Sequence, residues 1–148
     1  MRTLINLSLI AAVLAAPLAW ADDTSPVGLW KTIDDSTGKP TALIRITETG
    51  GELQGKIEKL FRAPGEDQSP KCVACTDARK NQPILGMTIV SGLKKHGDEY
   101  DGGEILDPKN GKVYKSKVTL KDGGKKLDVR GYIGVPMFGR SQVWVRQE

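Results

Sequence analysis

Short runs of alternating apolar and polar residues make up most of the chain, and hardly any run shows the period of an amphipathic helix. Clusters rich in Gly, Pro, Asp and Asn separate these runs, and a period of two between turns is typical of strands. Eight strands are therefore predicted. They cover residues 27–33, 41–48, 52–61, 87–94, 99–106, 112–120, 127–133 and 140–146.

Most of the predicted strands are joined by turns of hairpin length, such as Thr49-Gly50-Gly51 and the Asn110-Gly111 pair. Eight antiparallel strands in meander order can close on themselves, which removes both sheet edges. A sandwich with Greek-key crossovers would need longer connections. We therefore predict an all-β fold, an eight-stranded antiparallel meander β-barrel.

Two segments fit this scheme less simply. Residues 62–82 form a long irregular connection that contains both cysteines, and such connections are commonly functional or held in place. Residues 84–90 are compatible with a short helix as well as with the start of the fourth strand.

Alternation along the strands also predicts which side chains face the interior. In the third strand the inward set includes Phe61, and in the sixth it includes Tyr114, Ser116 and Val118. These four residues are the candidate ligand-binding side chains, with Tyr114 and Ser116 as polar anchors. Further inward apolar candidates are Leu53, Ile57, Leu120, Leu127 and Val129.

The N-terminus has the features of an export signal. Arg2 precedes an apolar run that extends to Leu18, and Ala19-Trp20-Ala21 fits the small-x-small rule for cleavage. The run is interrupted by Pro17 and is short for a membrane span. We expect residues 1–21 to be a signal peptide and residues 22–148 to form one domain in the periplasm or outside the cell.

Basic residues are concentrated in the C-terminal strands. From Gly111 onward there are nine Lys and Arg residues against three acidic ones. This asymmetry suits an anionic partner, including a membrane surface, although lysines on strands also prevent strands of different chains from pairing. Nucleic acid is not expected as a partner, because the basic residues are not interleaved with stacking aromatics.

Cys72 and Cys75 form a Cys-x-x-Cys pair in the long connection. In an exported protein the two thiols are expected to form a local disulfide. A redox-active dithiol has the same spacing, but such pairs usually begin a helix. Thr76 stands where attachment of a c-type haem requires histidine, and zinc would need two more ligands. We expect neither a metal nor a cofactor.

Aromatic and basic residues occur together in the first and last strands. A meander barrel closes by pairing these strands, so an arginine of the last strand can stack on an indole at the barrel end. The candidates for this barrel closure are Trp30, Trp144, Arg140 and Arg146.

Several motifs together resemble a family of small exported bacterial proteins of uncharacterised function that have a lipocalin-like (calycin) barrel. This resemblance implies an eight-stranded barrel in which an arginine or lysine from near the end of the barrel packs across the tryptophan of Gly-x-Trp, and it suggests ligand binding. The motifs are Gly28-Leu29-Trp30, Cys-x-x-Cys, Pro83-Ile84-Leu85-Gly86, the stretches 103–105, 107–108 and 111–114, and the segments 127–134 and 139–146.

Motifs that propose catalysis, such as a nucleophile elbow or a phosphate-binding loop, do not occur in the sequence. The leading hypothesis is therefore a non-enzymatic binding protein for a small hydrophobic or amphipathic molecule, with an anionic end as one form of that ligand. The alternatives are a thiol-disulfide protein acting through Cys72 and Cys75, and an envelope-interaction module that uses the basic strands.

Overall fold

The computed structural model describes residues 24–148, so the predicted signal peptide lies outside the described residues. Each strand pairs antiparallel with the next, and the last pairs with the first to close a barrel, which confirms the predicted fold class. The strands are β1 (Gly28–Ile33), β2 (Pro40–Thr49), β3 (Glu52–Leu60), β4 (Thr88–His96), β5 (Glu99–Asp107), β6 (Lys112–Lys121), β7 (Lys126–Tyr132) and β8 (Gly139–Arg146).

Local sequence explains where the strands begin and end. Gly50 and Gly51 join β2 to β3 with φ angles of 60° and 79°, which few other residues adopt without strain. A single 3₁₀ turn, Asp122–Gly124, joins β6 to β7. The helix considered over residues 84–90 does not form, because the chain turns at Ile84 and becomes extended from Thr88.

The interior of the barrel is filled at one end. There the inward side chains of the strands are large and fully or almost fully buried, and they exclude water from the space between the strands. On β3, Gly55 allows β4 to approach, since an added Cβ would lie only 3.0 Å from the Val90 Cβ. The buried residues of this closed end include Trp30, Leu53, Leu93, Val118 and Leu127.

Arg146 seals the closed end. Its guanidinium carbon lies 4.4 Å from the centre of the Trp30 ring, and its Nε donates to the Gly124 carbonyl at 2.7 Å. The other two nitrogens donate to the carbonyls of Val27 at 3.0 Å and Ser25 at 2.5 Å. One side chain thus ties β8 to the N-terminal segment and to the β6–β7 turn.

Gly28 is required by the same arrangement. Its φ is +148°, and an added Cβ would overlap the Glu148 carbonyl and lie 2.7 Å from the Arg146 Nη1. In the Gly-x-Trp sequence, Gly28 leaves room for the backbone of Glu148 to pass close to β1. Trp30 provides the ring on which Arg146 stacks.

Arg140 does not belong to this closure, although the sequence offered it as a candidate beside Arg146. It lies at the other end of β8, where its Nη2 is 3.5 Å from a carboxylate oxygen of Asp35. Trp144 lies on β8 between Arg140 and Arg146, and it is buried. The closure thus consists of Trp30 and Arg146.

We expect Arg146→Ala to lower the free energy of unfolding by about 2 to 4 kcal/mol, because it removes the stacking and leaves partly buried carbonyls without their charged donor. Arg140→Ala is the matched control, with an expected loss of less than about 1 kcal/mol for a surface ion pair. Urea unfolding of both variants checks this. Equal losses would contradict the role assigned to Arg146.

Candidate functional site

A cavity of about 1240 Å³ opens at the end of the barrel opposite Arg146. Its volume lies somewhat above the range of about 300–1,000 Å³ that is typical of small-molecule sites. The cavity is reached between the β1–β2, β3–β4, β5–β6 and β7–β8 connections, all of which meet at this end. The barrel is therefore solid at one end and hollow at the other.

The deep part of the cavity wall is mainly aliphatic, whereas the lining near the mouth is largely polar. Trp144 contributes its indole, whose Nε1 lies 3.4 Å from the Gln142 side-chain oxygen. The hydroxyls of Thr32 on β1 and Thr41 on β2 share a hydrogen bond of 2.5 Å. Such a wall favours an apolar group in the depth of the cavity. The aliphatic residues of the wall include Ala42, Ile44, Ile57, Ile89, Ile105, Leu106 and Val129.

Charged side chains surround the mouth in pairs. Two of these ion pairs join different parts of the rim, and the third lies within the β3–β4 connection. The pairs are Lys109 with Asp34 at 3.6 Å, Arg140 with Asp35 at 3.5 Å, and Arg62 with Glu66 at 3.8 Å. The polar surface of the cavity is thus concentrated at its entrance.

The β1–β2 turn is held rigid by Asp34. Its carboxylate accepts hydrogen bonds from the hydroxyl and the amide of Ser36 and from the amide of Thr37. These bonds, the Ser36 hydroxyl first, hold the pKa of Asp34 well below its usual value. Because the folded pKa is lowered, the contribution of this group to stability is present above about pH 4 and is lost in stronger acid.

The four predicted ligand-binding residues lie at different depths. Phe61 is at the mouth and 38% exposed, and Tyr114 lies on the wall, where its hydroxyl accepts from the Asn110 amide at 3.1 Å. Ser116 and Val118 are buried deeper and do not line the cavity. The Ser116 hydroxyl has no hydrogen-bond partner among the described residues.

Other parts of the site were not identified from the sequence. Trp144 was assigned to closure, but it faces the cavity, and Gln142 lies beside it. The β7–β8 connection contributes Ile133, Met137 and Phe138 to the mouth. The run of apolar residues in that connection was the available signal, because loops seldom combine so many of them.

The β3–β4 connection folds into a compact hairpin beside the mouth. Cys72 and Cys75 form the predicted disulfide within it, and both are fully or almost fully buried. The Cys72 amide donates to the Gln82 carbonyl at 2.9 Å. The hairpin packs on the β5–β6 turn, where an added Cβ at Gly111 would overlap the Ala74 carbonyl.

Burial of the disulfide disfavours thiol exchange, because an attacking thiolate needs access to a sulfur atom. The hairpin is also fixed to β4 by Arg79, which donates to the Thr88 carbonyl at 3.1 Å and pairs with Asp77 at 2.6 Å. Hydrogen bonding from the Arg79 side chain lowers the pKa of Asp77 to about 2. The disulfide-linked hairpin is therefore held in place beside the mouth of the cavity.

Residues 24–148 contain neither a cluster of metal-binding side chains nor a helix that could span a membrane. Within this part of the chain, His, Cys, Asp and Glu side chains do not gather in a group of three or more that could hold a metal ion. The same residues contain no helix that is long and apolar enough to cross a membrane.

Residues 28–146 match the family described as "Uncharacterized protein conserved in bacteria (DUF2147)", and the chain belongs to this family. The fold is similar to that of protein HP1028 from the human pathogen Helicobacter pylori, which is described as belonging to the lipocalin family. The TM-score is 0.69 over 82% of both chains, with 19% sequence identity. No curated protein matches the chain. The predicted resemblance to exported bacterial proteins with a lipocalin-like barrel is thus confirmed for family and fold.

The contact between Gly111 and Ala74 gives a test of the hairpin. We expect Gly111→Ala to lower the free energy of unfolding by about 2 to 3 kcal/mol, because it adds both backbone strain and an overlap. Gly97→Ala is the matched control: its φ is also positive at +61°, but an added Cβ there has open space, so we expect about 1 kcal/mol.

Reduction of the disulfide provides a second measurement on the same two variants. In native conditions Gly111→Ala should be reduced by dithiothreitol faster than the wild type, whereas Gly97→Ala should not. If both variants were reduced at the wild-type rate, the β5–β6 turn would not hold the hairpin in place.

Proposed function

We propose that this member of the DUF2147 family is a non-enzymatic binding protein that holds one small hydrophobic or amphipathic molecule inside its barrel. A lipocalin-like fold is suited in general to binding small ligands, and the observation that supports the proposal for this chain is the cavity of about 1240 Å³ with its aliphatic wall. Displacing water from such a wall is the main source of affinity for an apolar ligand.

The distribution of polar groups favours an amphipathic ligand over a purely apolar one. The depth of the cavity offers aliphatic side chains and the Trp144 indole, whereas the charges lie at the rim. A ligand would therefore place its hydrocarbon part inside and its polar end at the mouth. Arg140 is 73% exposed and pairs only loosely with Asp35, so an anionic group can replace that carboxylate.

The lining of the cavity gives little support to catalysis. Among its described residues there is no histidine or cysteine. The carboxylates of Asp34, Asp35 and Glu66 are paired at the rim, where Asp107 accepts a hydrogen bond from the Lys109 amide. A general base needs to lie within hydrogen-bonding reach of a bound substrate, and an apolar wall does not provide one.

We further propose that the protein works in the periplasm or outside the cell, after cleavage of residues 1–21. Two observations support this location: the N-terminal sequence has the pattern of a signal peptide, and Cys72 is joined to Cys75. Disulfides persist in oxidising compartments and are rare in the bacterial cytoplasm.

Filling the cavity tests the binding function. Gly131 lines the wall, and an added Cβ would make only ordinary contacts, 3.4 Å from the Tyr114 Cβ. We expect the wild type to bind N-phenylnaphthylamine and dansyl-undecanoic acid saturably in a fluorescence titration. Gly131→Phe should weaken both probes at least about tenfold, because the ring occupies the space that they need.

Val143→Phe is the control. Val143 lies on β8, its side chain is exposed, and it does not line the cavity. It should bind both probes as the wild type does. Far-ultraviolet circular dichroism verifies that each variant is folded, and Gly131→Leu replaces Gly131→Phe if the ring is not tolerated. A wild-type protein that binds neither probe would contradict the proposed function.

A further inference from the structure

The β7–β8 loop, residues 133–138, exposes large apolar side chains to solvent. Met137 is 76% exposed, Phe138 72% and Ile133 65%. Adjacent exposed apolar side chains of this size usually mark a surface that contacts a partner. We propose that this loop docks on a lipid bilayer with anionic head groups and places the mouth of the cavity against that bilayer.

The conformation of the loop is fixed by Arg130 on β7. Its Nε donates to the Pro136 carbonyl at 2.6 Å, and its two terminal nitrogens donate to Ser141 Oγ at 2.9 Å and to the Gly139 carbonyl at 3.4 Å. Within the loop the Phe138 amide also donates to the Val135 carbonyl at 3.0 Å. The backbone of the loop is thus fixed before any partner is present, which reduces the entropic cost of docking.

The loop is continuous with the cavity. Ile133, Met137 and Phe138 belong to the cavity lining and are also exposed on the outside. A bilayer placed on the loop would cover the mouth, and a hydrocarbon chain would pass between membrane and cavity without crossing water. This consequence rests on the proposed binding function, whereas the docking itself follows from the surface.

The charges beside the loop suit anionic head groups. Residues 129–142 contain Arg130 and Arg140 and no carboxylate, and the Arg140 side chain is 73% exposed. Lys112 and Lys115 are exposed, and Lys115 pairs in register with Tyr132, directly before the loop. Cations that flank a few exposed apolar side chains are typical of interfacial membrane binding.

The size of the patch also favours a bilayer. Three large side chains on one short loop are far from the roughly 800 Å² per partner that a stable protein interface buries. A bilayer requires no complementary shape, since the side chains can insert individually among the lipid chains.

Sedimentation with vesicles tests the proposal. The mature protein is mixed with vesicles of equal parts phosphatidylethanolamine and phosphatidylglycerol at low salt, where we expect it to sediment with the lipid. The double variant Met137→Ser/Phe138→Ser should partition at least about tenfold less. Val143→Ser, which removes an exposed apolar side chain from β8, should partition as the wild type does. Added salt, or phosphatidylcholine in place of phosphatidylglycerol, should weaken the binding.

A second variant reports the geometry directly. Phe138→Trp adds an exposed indole to a protein whose Trp30 and Trp144 are buried, so spin-labelled lipids should quench the added fluorescence. A wild type that stays in the supernatant at low salt, or an unquenched Trp at position 138, overturns the proposal. Titration with N-phenylnaphthylamine in the absence of vesicles separates the two claims, because docking without probe binding refutes the cavity function alone, and probe binding without docking refutes this inference alone.

Discussion

The stacking of Arg146 on Trp30 is the interaction on which the architecture depends. Strands β1 and β8 pair at only two positions, Trp30 with Arg146 and Lys31 with Val145, so the barrel closes along a short seam. The arginine strengthens that seam through three backbone carbonyls that belong to other segments. The buried side chains at this end keep the sheet closed. The barrel can therefore remain hollow at its other end.

The two ends of β8 consequently have different roles. Arg146 and Arg140 are separated by six residues, which is about 20 Å along a strand. Arg146 stacks on Trp30 at the closed end. Arg140 pairs with Asp35 at the mouth, in a part of β8 that does not pair with β1. The cavity, the ion pairs of the rim and the exposed β7–β8 loop all lie at the Arg140 end, so the molecule has one structural end and one end that is available to ligands.

The sequence predicted the strands well, because turn residues such as Asn110-Gly111 and the alternation of β6 are local signals. It did not predict depth, because alternation separates inside from outside but does not distinguish a packed level from a hollow one. Ser116 and Tyr114 were therefore both predicted to bind the ligand, but Tyr114 lines the cavity and Ser116 is buried in the packed part of the barrel. Phe61 follows β3 by one residue and lies at the rim. The sequence offered Arg140 and Arg146 together as closure candidates, and the structure places only Arg146 on Trp30.

Native mass spectrometry of the mature protein purified from its own bacterium tests most directly whether the hollow end holds a ligand. We expect a non-covalent adduct of one small amphipathic molecule per chain, which disappears when the same sample is denatured. A chain that carries only its own mass, and still does so after incubation with a lipid extract of that bacterium, would contradict ligand binding in the barrel.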